Sequence, residues 1–277
     1  MTMTTAEFDD ETDDFQGKIP LHGPEGFEGM RKAGQLAAAC LDMITPYVVP
    51  GVSTEKLDQL CHDFIRDHGA TPAPLGYKGY PKSICTSVNH VVCHGIPAAD
   101  KKLENGDIVN IDVTTIVDGW HGDTSRMYFA GEAGVRAKKL VDATYDSLMK
   151  AIALVKPGAR LGDIGHAIQS HVEPMGFSVV RDFCGHGLGK IFHCAPSVMH
   201  YGKPGTGTVL KAGMFFTIEP MINASKDWRT KVLSDGWTAV TRDRALSAQF
   251  EHSIAVTETG HEIFTLSPQG LTKPPYA

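Results

Sequence analysis

A repeat at a fixed offset of 107 residues does most to limit what this chain can become. The segment LDMITPYVVPGVSTEKL (41–57) matches LMKAIALVKPGARLGDI (148–164). Leu41 aligns with Leu148, Pro50-Gly51 with Pro157-Gly158, Leu57 with Ile164, and further on Gly69 with Gly176. Each copy reads as a helix, a Pro-Gly turn and a second amphipathic helix. The offset continues through Leu103/Leu210 and Gly106/Gly213 into the strands IVNID (108–112) and FFTIE (215–219). Val109 and Ile111 share one face of the first strand, Phe216 and Ile218 one face of the second. Each strand ends in a carboxylate, Asp112 or Glu219. The expected class is α+β, two halves related by duplication, with the acids meeting where the two sheets join.

The segment DIVNIDVTTIVDGWHGDTSRMYF reads as a β-hairpin turning at Asp118-Gly119. With a two-residue loop, Val117 faces Trp120 and Thr114 faces Asp123. Asp112 lies two residues from Thr114 on the same face, so Asp112 and Asp123 become diagonal neighbours, at Cα spacings of roughly 7–8 Å. Two close carboxylates repel and resist desolvation, so a buried pair needs a cation. A solvent-facing polar hairpin accounts for the pair equally well until further ligands are found.

Three other segments supply them: His186 in FCGHGLGK (183–190), Glu219 in FFTIEP (215–220) and Glu251 in QFEHSIAV (249–256). The glycines around His186 do not have phosphate-loop spacing. An acid inside an apolar strand is seldom buried without a partner. Four carboxylates and a neutral imidazole would balance two divalent cations, and oxygen-rich ligation with one imidazole suits Mn²⁺, Fe²⁺ or Co²⁺ as well as Zn²⁺. Such a pair of ions serves hydrolysis.

Charge and cysteine usage exclude other classes. The net charge is −6, and Glu7, Asp9, Asp10, Glu11, Asp13 and Asp14 precede the first basic residue, Lys18. Without them the chain is neutral, so DNA or strong RNA binding is not expected. Residues 1–25 read as an acidic, disordered tail. The six cysteines form no CxxC pair, which argues against a structural zinc site. No apolar run reaches membrane-spanning length and no signal peptide is legible, so a cytoplasmic location is expected.

At these residues the chain closely resembles the type I, bacterial-type methionine aminopeptidases. The stretches that carry the likeness are LGYKGYPKSICTSVNHVVCHGIP (75–97), NIDVTTIVDGWHGDTSRMYF (110–129), CGHGLGKIFH (184–193), FFTIEPMI (215–222) and SAQFEHSIAVTETG (247–260). The resemblance implies the pita-bread (creatinase/aminopeptidase) fold: two pseudo-symmetric halves, about 26–135 and 136–265, of antiparallel sheets flanked by helices in one catalytic domain, 26–277. It implies that Asp123 and Glu251 bridge two metals, that His186 and Glu219 complete one, and that Asp112 binds the other. A metal-bridging hydroxide would attack the first peptide bond, releasing the initiator methionine of nascent proteins, with a small second residue preferred and Glu219 shuttling the proton. His94 would lie near the substrate amine and scissile amide, and His193 near its carbonyl. Tyr77, Tyr80, Cys85, Phe192, Met221 and Trp237 match methionine-pocket positions, whose aromatic and sulfur-bearing walls suit a thioether. Pro74 replaces a cysteine of the best-known bacterial members, at the pocket rim.

Asn89, Val91 and Ser247 match a peripheral Na⁺ or K⁺ site of some members. The family also implies a monomer and transient ribosome contact, for which Lys226, Arg229 and Lys231 are candidates. Prolidases share the five ligands but usually carry a large N-terminal domain. Type II members insert about 60 residues between the last two ligands, where here Glu219 and Glu251 are 32 apart.

Overall fold

Both Pro-Gly turns close in the same way. In a computed structural model, which describes residues 17–276, Gly51 (φ 93°) donates to the Leu103 carbonyl and Gly158 (φ 88°) to that of Leu210. Only glycine takes this left-handed backbone without strain. Each turn joins two helices: α1 (Pro24–Ile44) to α2 (Thr54–Asp67), and α3 (Val135–Ile152) to α4 (Leu161–Val172). Ser53 caps α2 by accepting from the Lys56 amide, and Asp163 closes a capping box on Arg160 at the start of α4. Ser53 also bridges Lys102, and Arg160 bridges Val209, again 107 residues apart. No helix among the described residues is long and apolar enough to cross a membrane.

The strands in chain order are β1 (Thr71–Pro72), β2 (Cys85–Val88), β3 (Val91–Cys93), β4 (Asp107–Val117), β5 (Trp120–Ala130), β6 (Ser178–Val179), β7 (Gly185–Gly187), β8 (Cys194–Val198), β9 (Phe215–Ile218), β10 (Met221–Asn223), β11 (Thr230–Val232), β12 (Ala239–Thr241), β13 (Ser247–Gln249), β14 (His252–Val256) and β15 (His261–Ile263). All pairings are antiparallel. In the first half β4 pairs with β5, β2 and β1. In the second, β9 and β10 occupy the place of β4: Ser178 pairs with Asn223 as Thr71 pairs with Ile116. Two β-sheets of order β15-β14-β9-β7-β8 and β13-β10-β6 result, and a third, β11-β12-β3, lies beside them.

The hairpin register is the one expected, with Val117 opposite Trp120 and Thr114 opposite Asp123 across a turn of Asp118 (φ 51°) and Gly119 (φ 80°). That double left-handed turn follows the right-handed twist of the strands. Each half buries its own apolar faces. Val109 and Ile111 join Leu41, Leu57 and Ile65 in one core, while Phe216 and Ile218 join Leu148, Ile164 and Ile168 in the other. Burying each such side chain contributes about 1.5–3 kcal/mol. The halves meet where Ser125 of β5 bridges Glu251, and these are equivalent positions, since Ser125 pairs with Asp112 and Glu251 follows β13 opposite Glu219.

Helix α1 lies close on the hairpin. A Cβ at Gly122 would stand 2.2 Å from the Ala33 carbonyl carbon. The helix is also tied to the C-terminal segment: Asp42 pairs with buried Arg126 and accepts from Ser267 Oγ. Within the segment expected as a tail, Ile19 packs on the second core and His22 stacks on Phe215 at 4.4 Å. The acidic residues 7–14 lie outside the described residues.

Candidate metal centre

The register of β4 and β5 brings the first two acids together. Thr114 Oγ1 donates to Asp123 Oδ1 at 2.7 Å, and Asp112 follows on the same face. Gly185 and Gly187 allow β7 to approach its neighbours: a Cβ at Gly185 would stand 2.4 Å from the Thr217 carbonyl oxygen. His186 between them points Nε2 to within 3.4 Å of Asp123 and 3.7 Å of Glu219. Its Nδ1 lies 3.0 Å from the Gly187 carbonyl, so that nitrogen carries the proton and Nε2 is left for a ligand. Glu251 arrives from the second half through its bridge to Ser125. Ligand atoms of Asp123, His186 and Glu251 all lie within 4.8 Å of one another, and all three residues are buried.

Asp112 Oδ1 is buried without a hydrogen-bond partner. Burial, then Asp123 and Glu219, push the Asp112 carboxyl well above its usual range. Burial, then Asp123, Glu219 and Asp112, do the same to Glu251, and burial raises Glu219 to about 7. Burial lowers the pKa of His186, but the hydrogen bond to Asp123 and the charge of Glu219 outweigh it and the net shift is upward. This is a set of buried oxygens competing for protons. Divalent cations satisfy such a donor set, and the unpartnered Asp112 oxygen fits one.

Both accessory histidines face the same cavity, of about 380 Å³. His193 Nδ1 lies 2.9 Å from the Tyr77 hydroxyl, and its ring stands 4.2 Å from that of His186. His94 (φ 55°) meets Phe183 and Trp237 edge-on. Burial lowers the pKa of each, that of His193 far below the usual value, with His186 adding to it. Tyr77, Tyr80, Cys85, Phe192, Met221 and Trp237 all line the cavity, with Pro74 among them. The Tyr80 hydroxyl is fixed by the Ile84 and Gly95 carbonyls, which leaves its ring as wall.

Several residues of the site had no sequence signal. Thr217 Oγ1 donates to Glu219 Oε1 at 2.7 Å and accepts from the His186 amide. Gln249 Nε2 donates to Glu219 Oε2 at 3.2 Å. His200 Nε2 accepts from the Glu219 amide at 3.1 Å, and burial takes this ring to a pKa of about 3. The spacing of Gln249, two before Glu251 on an extended segment, was the one available hint.

Other expected residues lie apart. Asn89 and Ser247 meet through the Ser247 amide and the Asn89 carbonyl, and Val91 pairs with Val240. In the basic loop, Arg229 makes a two-point pair with Asp227 at 2.7 and 2.8 Å, which offsets its charge locally. His252 turns away from the centre to Thr265, and His62 and His68 bond Ser83 and the Phe64 carbonyl. All six cysteines are free thiols, four of them buried.

The sequence pattern described as Metallopeptidase family M24 matches residues 28–258. The methionine aminopeptidase of Rickettsia prowazekii (strain Madrid E) is 60% identical over 258 residues, covering 93% of this chain and 99% of the relative. That of Escherichia coli (strain K12) is 55% identical over 249 residues, covering 90% and 94%. The crystal structure of methionine aminopeptidase from Rickettsia prowazekii superposes with a TM-score of 0.88 at 60% identity, covering 90% of this chain and all of that one.

Proposed function

The chain belongs to metallopeptidase family M24 and, within it, to the type I methionine aminopeptidases. From that premise we propose that it removes the initiator methionine of nascent proteins at a centre of two divalent ions. The observation that carries this reading is the buried cluster of Asp123, His186 and Glu251 at the floor of a cavity walled by aromatic and sulfur-bearing side chains. Asp123 and Glu251 would be held in common by both ions, His186 and Glu219 would complete one, and Asp112 the other. Fe²⁺, Mn²⁺, Co²⁺ and Zn²⁺ are the candidates. When bound, such ions supply Lewis acidity and an activated water.

The remaining work falls to the chain. A methionine side chain fits among Tyr77, Tyr80, Cys85, Phe192, Met221 and Trp237, where its flexible thioether meets aromatic and sulfur contacts. His94, on the cavity wall, faces the substrate amine and scissile amide. His193, kept neutral by burial and steered by Tyr77, donates from Nε2 to the substrate carbonyl oxygen as negative charge develops there. Glu219, held at both carboxylate oxygens, carries the proton to the leaving nitrogen. A small second residue is preferred because a larger side chain would clash at the site entrance.

The catalytic body is residues 26–277, in halves of about 26–135 and 136–265. The protein works as a monomer in the cytoplasm, with transient ribosome contact and a peripheral Na⁺ or K⁺ at Asn89, Val91 and Ser247. Prolidase from Pyrococcus furiosus shares the fold at 20% identity, with a TM-score of 0.70. A peptide panel separates the two activities: Met-Ala-Ser should be cleaved and Ala-Pro peptides should not. Asp123→Ala and Glu251→Ala should each abolish divalent-ion-dependent cleavage of Met-Ala-Ser. Full activity in either variant would refute the shared-ligand assignment.

A further inference from the structure

Strand β4 runs unbroken through Asp112, but its counterpart is split into β9 and β10 at Glu219-Pro220. Ladder pairing stops at Ile218 and resumes at Met221. The Glu219 amide therefore has no strand carbonyl to meet, and donates to His200 Nε2 instead, at 3.1 Å. His200 is wholly buried. An imidazole nitrogen that accepts an N–H is unprotonated, so the proton of this neutral ring sits on Nδ1. Nδ1 is buried with no partner. Leaving a buried donor unmatched is unfavourable, and what the ring returns is the bond to Glu219.

The first half shows the contrast. There Asp112 lies within an intact ladder between Cys85 and Ser125. A side-chain acceptor is present only where the ladder is broken. We propose that His200 is a positioning residue for the reaction: its ring replaces the missing ladder bond, fixes the backbone at Glu219, and so keeps that carboxylate aimed at His186 and the cavity. This rests on the reading of Glu219 as ligand and proton carrier.

His200→Phe fills the space without an acceptor, and His200→Gln restores one. Calorimetric titration of metal-free protein with Mn²⁺ should show affinity at one site falling by roughly 10–100-fold in His200→Phe. Cleavage of Met-Ala-Ser should lose kcat by a similar factor with KM nearly unchanged, and His200→Gln should recover most of both. Nitrogen NMR of histidine-labelled, metal-free wild type should show His200 Nε2 unprotonated and coupled to the Glu219 amide. Should His200→Phe not fold, His200→Leu against His200→Gln makes the same comparison. Wild-type kcat and Mn²⁺ affinity in the acceptor-free variant, or a protonated Nε2 in the wild type, would overturn the proposal. A wild-type protein that leaves Met-Ala-Ser intact would refute the peptidase reading instead, and the Mn²⁺ titration and NMR would still decide the role of His200.

Discussion

Stripped of metal, the centre holds its acids face to face, and the stability of that state should depend on pH in a calculable direction. Burial raises Glu219 from 4.5 to about 7. A carboxyl whose pKa is higher folded than unfolded binds its proton more tightly when folded. Its contribution is complete below the unfolded value and is lost as pH rises to the folded one. For Glu219 the window is 4.5 to about 7, and at about 1.4 kcal/mol per pH unit the loss is ~3 kcal/mol. Asp112 and Glu251 are raised as well and act in the same direction. So does His186, whose raised pKa means that its protonated form is favoured by folding and is lost on going alkaline. At about 2–4 °C per kcal/mol for a chain of this size, Glu219 alone should lower the Tm of chelator-treated protein by roughly 6–12 °C across its window. Circular-dichroism melts from pH 4.5 to 8, on wild type and Glu219→Gln, isolate this carboxyl as the difference between the two slopes. Identical slopes, or a wild-type Tm that rises relative to the variant, would refute the reasoning. Adding Mn²⁺ at pH 7.5 should raise the wild-type Tm again.

Three further outcomes are expected. His193→Ala should lower kcat on Met-Ala-Ser by roughly 10²–10³-fold while metal content stays at the wild-type level; loss of metal would make His193 a ligand. Gly122→Ala puts a methyl 2.2 Å from the Ala33 backbone, so the urea midpoint should fall by the equivalent of about 1–3 kcal/mol or more, and an unchanged midpoint would mean that α1 yields freely. Asp42→Ala leaves the buried Arg126 without its counter-ion and should cost about 3–5 kcal/mol in denaturant unfolding. Asp42→Asn, which keeps an acceptor, should cost less.

The repeat and the hairpin were legible because both are local. Pro-Gly turns, an Asp-Gly loop and alternation of period two fix backbone shape from neighbouring residues, and they placed Asp123 opposite Thr114 without other information. Which distant segments joined Asp112 and Asp123 was less legible: acids in apolar strands marked Glu219 and Glu251, but their roles came from resemblance. Thr217 and His200 could not be read at all, and Gln249 only through its spacing from Glu251. They act through single hydrogen bonds set by tertiary packing, and a threonine or glutamine in a strand carries no periodic signal. The break between β9 and β10 was hidden too, since Pro220 marks an interruption without saying what fills it. The inner end of the acidic segment was misjudged for a related reason, as the stacking of His22 on Phe215 depends on a strand nearly two hundred residues away.

The bridge between Ser125 and Glu251 has one more consequence. A pocket built on a true twofold offers the same groups to either side, and so cannot tell which way a peptide chain enters it. Here the two sides of the axis carry serine and glutamate, a whole strand and a broken one. Duplication supplies the scaffold, and each departure from its symmetry gives the pocket a front and a back. An enzyme that must recognise the beginning of a chain needs that sense of direction.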